Sequence, residues 1–198
     1  MISLLAIVDR APAGVAAVAC DGFDAVIGPE PLPLGVEAIK AHEAEVRRIA
    51  GLCEACLPAR FGAGVADEAT LRKQLEERGP ELREALQLVR GREQMTLRVL
   101  GERAQAAPAT GTEYLLARYK HQTLPELQPL REAVARFVRA EKIEPHDQPG
   151  LLATVAHLID RGASAEYVAA VDAVELFELR VKQSGPWPAW SFAPEVAP

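Results

Sequence analysis

Val15-Ala16-Ala17-Val18-Ala19-Cys20-Asp21-Gly22-Phe23-Asp24-Ala25-Val26-Ile27 sets two short apolar runs on either side of Asp-Gly. Glycine reaches positive φ without steric cost and aspartate tolerates it, so Asp21-Gly22 suits a two-residue turn and the flanking runs pair as a β-hairpin. Upstream, Ile2 to Val8 is an apolar run stopped by Asp9-Arg10 and reads as a buried strand. Downstream of Pro29, Pro31 and Pro33, the residues Val36, Ile39, Val46, Ile49 and Cys53 recur at helical spacing. Residues 35–52 therefore read as an amphipathic helix with a charged outer face.

A strand follows at Ala55–Phe61, after which Gly62 and Gly64 turn the chain. Asp67 can cap a long helix that keeps Leu71, Leu75, Leu82, Leu86 and Val89 on one stripe. Gly79-Pro80 interrupts it, because proline removes a helical hydrogen bond, so two collinear pieces or one kinked helix are expected. Met95, Leu97 and Val99 alternate with Gln94, Thr96 and Arg98, the pattern of a half-exposed strand closing a first α+β domain over residues 1–105.

Residues 104–110 are small and unpatterned, a link to a second α+β domain over residues 106–192. Tyr114, Leu115 and Leu116 open a helix after Gly111, and Thr123-Leu124-Pro125-Glu126 is a capping-box start for another carrying Leu127, Leu130, Val134, Phe137 and Val138. Leu151 to Ile159 is nearly continuously apolar, as a strand covered on both faces would be. Ser164 can cap a helix through Val174, and Phe177, Leu179 and Val181 alternate with charged residues in a last strand. That strand leads into Gly185-Pro186-Trp187-Pro188-Ala189-Trp190-Ser191-Phe192, which holds both tryptophans of the chain. Its prolines exclude a helix or a central strand, so the segment is expected to run extended and to dock its rings onto the protein's own core. Residues 193–198 read as a flexible tail.

With 198 residues, 49% hydrophobic and 25% charged, the chain has the composition of a soluble globular protein. Its net charge of −6 argues against nucleic acid and anionic membrane surfaces as partners. Met1 to Cys20 is apolar and ends in Ala-Val-Ala-Cys, but it begins uncharged and is broken by Asp9, Arg10 and Pro12, unlike a signal peptide. No stretch approaches the roughly 18 consecutive apolar residues of a membrane span. A cytoplasmic protein is expected, in which three cysteines build no disulfide framework.

Chemistry-bearing patterns are weak. Cys53-Glu54-Ala55-Cys56 lacks a second ligand pair for zinc, and Cys53 sits at a helix C-terminus, where a thiolate is disfavoured. His42-Glu43 begins like a zincin motif, but Val46 occupies the place of the second histidine. Gly62-Ala63-Gly64 lacks the remaining residues of a dinucleotide or phosphate loop. His157, inside an apolar run, reads as a satisfied core histidine, whereas His121 and His146 lie in polar surroundings. Arg60 is the exception, because a strand apolar on both sides forces its guanidinium to a carboxylate or to an interface. No catalytic residue, cofactor or metal is assigned.

Four stretches resemble one known family in order along the chain. Gly185-Pro186-Trp187-Pro188 with Trp190, Ser191 and Phe192 is similar to the closing motif of the gas vesicle F/L family, accessory proteins of gas vesicle assembly. Leu57-Pro58-Ala59-Arg60-Phe61-Gly62 resembles its central Leu-Pro-x-Arg-Phe-Gly, and Gly111-Thr112-Glu113-Tyr114-Leu115-Leu116 its Gly-Thr-x-Tyr-Leu-Leu; His42-Glu43 falls where members often carry His-Glu. The resemblance runs from about residue 2 to 192. Ala189 replaces the usual second proline, Trp190 stands where tyrosine is commoner, and the 101–110 link is short. It implies two α+β domains, the second a modified ferredoxin-like fold, in a non-enzymatic, chaperone-like assembly factor. The implied partners are the small hydrophobic shell subunit and other accessory proteins, with self-association left open. Contact candidates are Arg60 and Phe61, Met95 and Arg98 on the 94–100 strand, and the first hairpin. The alternative is a small-molecule-binding or enzymatic α+β protein with a cleft between its halves, and a shell component retained in the vesicle is a further one.

Overall fold

The computed structural model describes residues 1–30, 33–102, 110–112, 115, 119, 123–177 and 179–195. It is an α+β protein in two compact units, one formed by Met1–Glu93 together with Trp187–Pro198, the other by Gln94–Pro186. This division differs from the 1–105 and 106–192 expected from sequence. The strand read as closing the first domain supplies the second unit's sheet from Gln94 onward, and the chain from Trp187 returns to the first unit.

The first unit is built on β1 (Ile2–Val8). β2 (Ala17–Cys20) and β3 (Phe23–Gly28) form the expected hairpin, with Gly22 at φ 83° in the turn. β3 pairs antiparallel with one side of β1, and β4 (Cys56–Pro58) and β5 (Gly64–Val65) pair antiparallel with the other. Ala6 and Val8, with Val26 and Cys56 in register, pack on Ile49, Ala50 and Cys53 of α1 (Val36–Leu52). Ile7, Ala25 and Leu57 alternate onto the opposite face and are equally buried, so the sheet is covered on both sides. α2 (Glu68–Glu77) contacts β2, and α3 (Gly79–Val89) contacts β4.

Leu71, Leu75, Leu82, Leu86 and Val89 are all buried, as their stripe predicts. Asp67 caps α2, its Oδ1 accepting from the Thr70 amide at 2.8 Å. The long helix becomes two because Pro80 falls in the first turn of α3, where its missing N–H would have had no helical partner.

In the second unit, β6 (Arg92–Leu100), α4 (Gln128–Val134), β7 (Val138–Pro145), β8 (Leu151–Asp160), α5 (Ser164–Asp172) and β9 (Arg180–Trp187) follow one another. The sheet order is β7-β8-β6-β9, with β7 and β8 antiparallel. Met95, Leu97 and Val99 face a core with Leu130, Val134, Phe137, Val155 and Tyr167. β6 is thus an interior strand; Gln94 on its other face is also buried, its Nε2 donating to Thr96 Oγ1 at 3.0 Å. β8 has buried residues on both faces, as its apolar run predicts.

Several local expectations give way here. Thr123 forms no capping box: its hydroxyl donates to the Tyr119 carbonyl at 2.8 Å, Leu124 takes φ 44°, and a 3₁₀ turn over Pro125–Leu127 precedes α4. Phe137 and Val138 lie past the end of α4, the latter opening β7, a strand that the sequence reading did not include. Ser164 is the first residue of α5 rather than its cap. Phe177 is 99% exposed ahead of β9, so the last strand starts later than its alternation implies. Gly111, Thr112 and Leu115 are helical and exposed; Tyr114 and Leu116 lie outside the described residues.

His157 is buried and satisfied at both nitrogens. Nε2–H donates to Glu141 Oε2 at 2.8 Å, which leaves Nδ1 to accept from the Tyr167 hydroxyl at 2.7 Å. Glu141 also accepts from Arg131 Nε at 3.2 Å, and Arg131 donates to the Leu124 and Thr123 carbonyls. The His157 hydrogen bond, and then Arg131, hold the Glu141 carboxyl below its ordinary range, while burial pushes the Tyr167 phenol up.

Two outcomes test this account of the cores. Leu75→Ala, at a fully buried site, should lower unfolding free energy by about 2–5 kcal/mol in urea titration. A depressed carboxyl pKa contributes stability above the unfolded value of about 4.3 that is lost as pH falls through the folded one. Glu141→Gln should therefore be less stable than the parent near neutrality and show a shallower loss of denaturation midpoint below about pH 4.3.

Candidate functional site

Pro58 ends β4, an edge strand that tolerates a residue without an amide donor. Beyond it the Ala59 amide still donates to the Leu5 carbonyl at 2.9 Å. The chain then turns: the Ala63 amide donates to the Arg60 carbonyl at 3.1 Å, with Gly62 third in the turn at φ 85°. That position of a type II turn requires positive φ. A Cβ at Gly62 would meet nothing within 4 Å, so the glycine answers the backbone and not a crowded neighbour. Ala63 is fastened in turn, its carbonyl accepting from the Leu4 amide at 2.8 Å.

The Ala59 carbonyl is taken by α1. His42 Nε2–H donates to it at 2.9 Å from a ring that is 9% exposed. Phe61 stands edge-on to the same ring at 5.6 Å between centroids, and Trp190 lies at 6.2 Å. His42 thus occupies a position on the buried face of α1 that the apolar spacing did not mark, and holds the turn to the helix.

The closing segment completes the site. Gly185-Pro186 is a cis peptide at the end of β9, and Trp187 receives the Arg47 guanidinium of α1 over its ring at 4.5 Å. Past Pro188 the chain forms a 3₁₀ turn over Trp190–Phe192 and contacts β4. Phe192 and Ala189 are buried, whereas Trp187 and Trp190 are half-buried. The segment is therefore an edge strand followed by a turn, not extended throughout, and its principal anchor is Phe192.

Pro58, Ala59, Arg60, Phe61, Gly62, Ala63, Trp190, Ala193, Pro194 and Glu195 enclose an open cleft of about 320 Å³. Arg60 lies beyond the end of β4, and its side chain is 78% exposed, so the guanidinium is not forced inward as an all-apolar strand would require. It pairs with Glu195 Oε1 at 2.6 Å, and Arg78 donates to the Glu195 backbone carbonyl. Residues 193–195, whose sequence reads as part of a flexible tail, line the cleft, a placement that no local pattern signals.

The structure brings His42, Leu57, Pro58, Arg60, Phe61, Gly62, Trp187, Trp190 and Phe192 into one unit, in positions 150 residues apart at the extremes. Met95 and Arg98 are in the other. Met95 is 1% exposed and belongs to the core, which removes it as a surface contact, whereas Arg98 points outward from β6. Gly111, Gly185 and Pro186 also belong to the second unit.

Chemically the cleft offers one guanidinium–carboxylate pair among aromatic and small residues. Among the described residues no group of three or more His, Cys, Asp or Glu is placed to hold a metal. Cys53 and Cys56 are buried, the Cys53 thiol donating to the Arg10 carbonyl at 3.7 Å, and Cys20 is half-buried with burial raising its pKa. No described helix is long and apolar enough to cross a membrane.

Comparison with known proteins gives a consistent outcome. Residues 6–194 match the profile of the family described as "Gas vesicle synthesis protein GvpL/GvpF". The chain is 26% identical over 185 residues to gas vesicle protein L of Streptomyces sp. (strain CB03234), covering 79% of this chain and 69% of that one. The fold matches the crystal structure of GvpF from Anabaena sp. PCC7120 with a TM-score of 0.73 at 17% identity, over 98% of this chain and 95% of that one. GvpF from Microcystis aeruginosa matches with the same TM-score at 15% identity, over 98% of each chain. With a two-unit α+β fold and a family profile spanning almost its whole length, this chain belongs to the GvpL/GvpF family of gas vesicle synthesis proteins.

Proposed function

We propose that this protein is a non-enzymatic assembly factor, associated with gas vesicles, that binds the small hydrophobic shell subunit to keep it soluble or to nucleate shell growth. The observation that carries the reading is convergence. His42, the Leu57–Gly62 stretch and the closing segment each resemble the family separately, and they meet where the buried His42 ring backs Phe61 and Trp190, two of the residues lining the exposed cleft around Arg60. A subunit destined to polymerise must have its apolar surface covered until it is incorporated, and a partner with aromatic and aliphatic groups beside an exposed cation can cover it. The cleft fits this role better than catalysis, because its ionisable lining residues are Arg60 and Glu195, already paired with each other.

The test is co-expression with the shell subunit encoded in the same genome, followed by affinity capture. Soluble shell subunit should come down with the wild-type chain. Arg60→Glu should leave the fold intact, given the exposure of that side chain, and reduce capture about tenfold. Undiminished capture by the folded variant would remove Arg60 from the interface.

A further inference from the structure

The buried stripe of α1 runs off the end of the surface that covers it. Ile49 and Val46 are fully buried and His42 is 9% exposed, but Ile39, one turn earlier, is 42% exposed and Val36, a turn before that, is 67% exposed. Leu34, just ahead of the helix, is 82% exposed. Residues three apart on a helix share a face, so Ile39 stands one turn from His42, whose ring meets Phe61 and Trp190. The apolar ridge is therefore continuous with the aromatic wall of the Arg60 cleft.

We propose that this overhanging ridge, Leu34, Val36 and Ile39, together with the rim at Phe61 and Arg60, is the docking surface for an amphipathic helix of the shell subunit. The proposal rests on the shell-binding reading above and assigns its surface. Three observations select the occupant. The ridge is spaced by threes along a helix and so offers the row-and-groove relief into which another helix packs. Its flanks are electrically quiet, because Glu37 pairs with Lys40 and Glu43 with Arg47, which leaves apolar contact as the attraction along α1. Arg60 lies between the two residues that touch His42, the residue at which the ridge becomes buried, and its Glu195 partner is 70% exposed. An incoming carboxylate can take the place of Glu195 at little cost, since exposed ion pairs contribute only about 0–1 kcal/mol. The occupant is thus a helix with one apolar face and an acidic residue beside it.

Of the three ridge residues Val36 is 67% and Ile39 42% exposed, so Val36→Asp/Ile39→Asp should keep the parent's fold by circular dichroism, which is checked together with the thermal midpoint before capture is scored. Capture of co-expressed shell subunit should fall at least tenfold. Leu52→Asp, at a 59% exposed residue near the other end of α1, should capture normally. A photo-crosslinker at position 39 should label partner residues three and four apart. Full capture by the double variant, equal loss with Leu52→Asp, or labelling at every second residue would overturn the docking surface while leaving shell binding intact. No capture by the wild-type chain would overturn shell binding itself, and the surface with it.

Discussion

Where the chain leaves β4, the edge strand of its sheet, the Ala59 carbonyl takes a buried hydrogen-bond donor from α1. The His42 imidazole provides it at 2.9 Å. An unmatched buried carbonyl would cost about 1–3 kcal/mol, so the ring position is held closely. Its other consequences are geometric. A ring fixed against Ala59 gives Phe61 a perpendicular partner and Trp190 a tilted one, and the turn at Gly62 can then present Arg60 outward. Helix, turn and closing segment, drawn from distant parts of the chain, become one surface because a single side chain satisfies a single backbone group.

What the sequence could show of this follows from range. The hairpin at Asp21-Gly22, the strand at Ile2–Val8, the Asp67 cap and the leucine stripe across Gly79-Pro80 are encoded within a few residues, and each forms where the pattern places it. β7 escapes the same reading. As an edge strand it keeps few buried residues, and Arg139, Glu141, Lys142 and Glu144 hide its alternation among charges. Phe137 fits a helical stripe by spacing, yet the chain has already left α4, because the core needs that ring edge-on to Tyr167 at 6.3 Å. Met95 shows the converse problem. Alternation identifies which residues of a strand share a face, but not which of the two faces meets a partner, and here the apolar face belongs to the second unit's core.

The site is less legible than the fold for a related reason. Resemblance picked out His42, Arg60, Phe61 and the tryptophans as separate motifs, and nothing local joined them. Glu195 left no mark at all. A lone glutamate after Ala-Pro near a chain end has the composition of a solvated tail, and its role depends on where Phe192 anchors the preceding turn. His42 was obscured by its type, because a polar residue in an otherwise apolar stripe reads as a break until its acceptor is known.

The two units use charge in opposite ways, and the contrast separates scaffold from surface. In the second unit, Glu141, His157, Tyr167 and Arg131 form a chain of hydrogen bonds around a histidine that is 1% exposed, and removing one member strands its neighbour in a poorly solvated place. Such a network resists exchange and pins α4, β7, β8 and α5 to one another. In the first unit, Arg60 and Glu195 meet in solvent, where the gain from pairing is nearly matched by the hydration each recovers on parting. A carboxylate from outside competes there on equal terms with the one from the chain's own end. The cation of the cleft is therefore exchangeable, while the framework that presents it, fixed by backbone hydrogen bonds at Ala59 and Ala63 and by the buried His42 ring, is not.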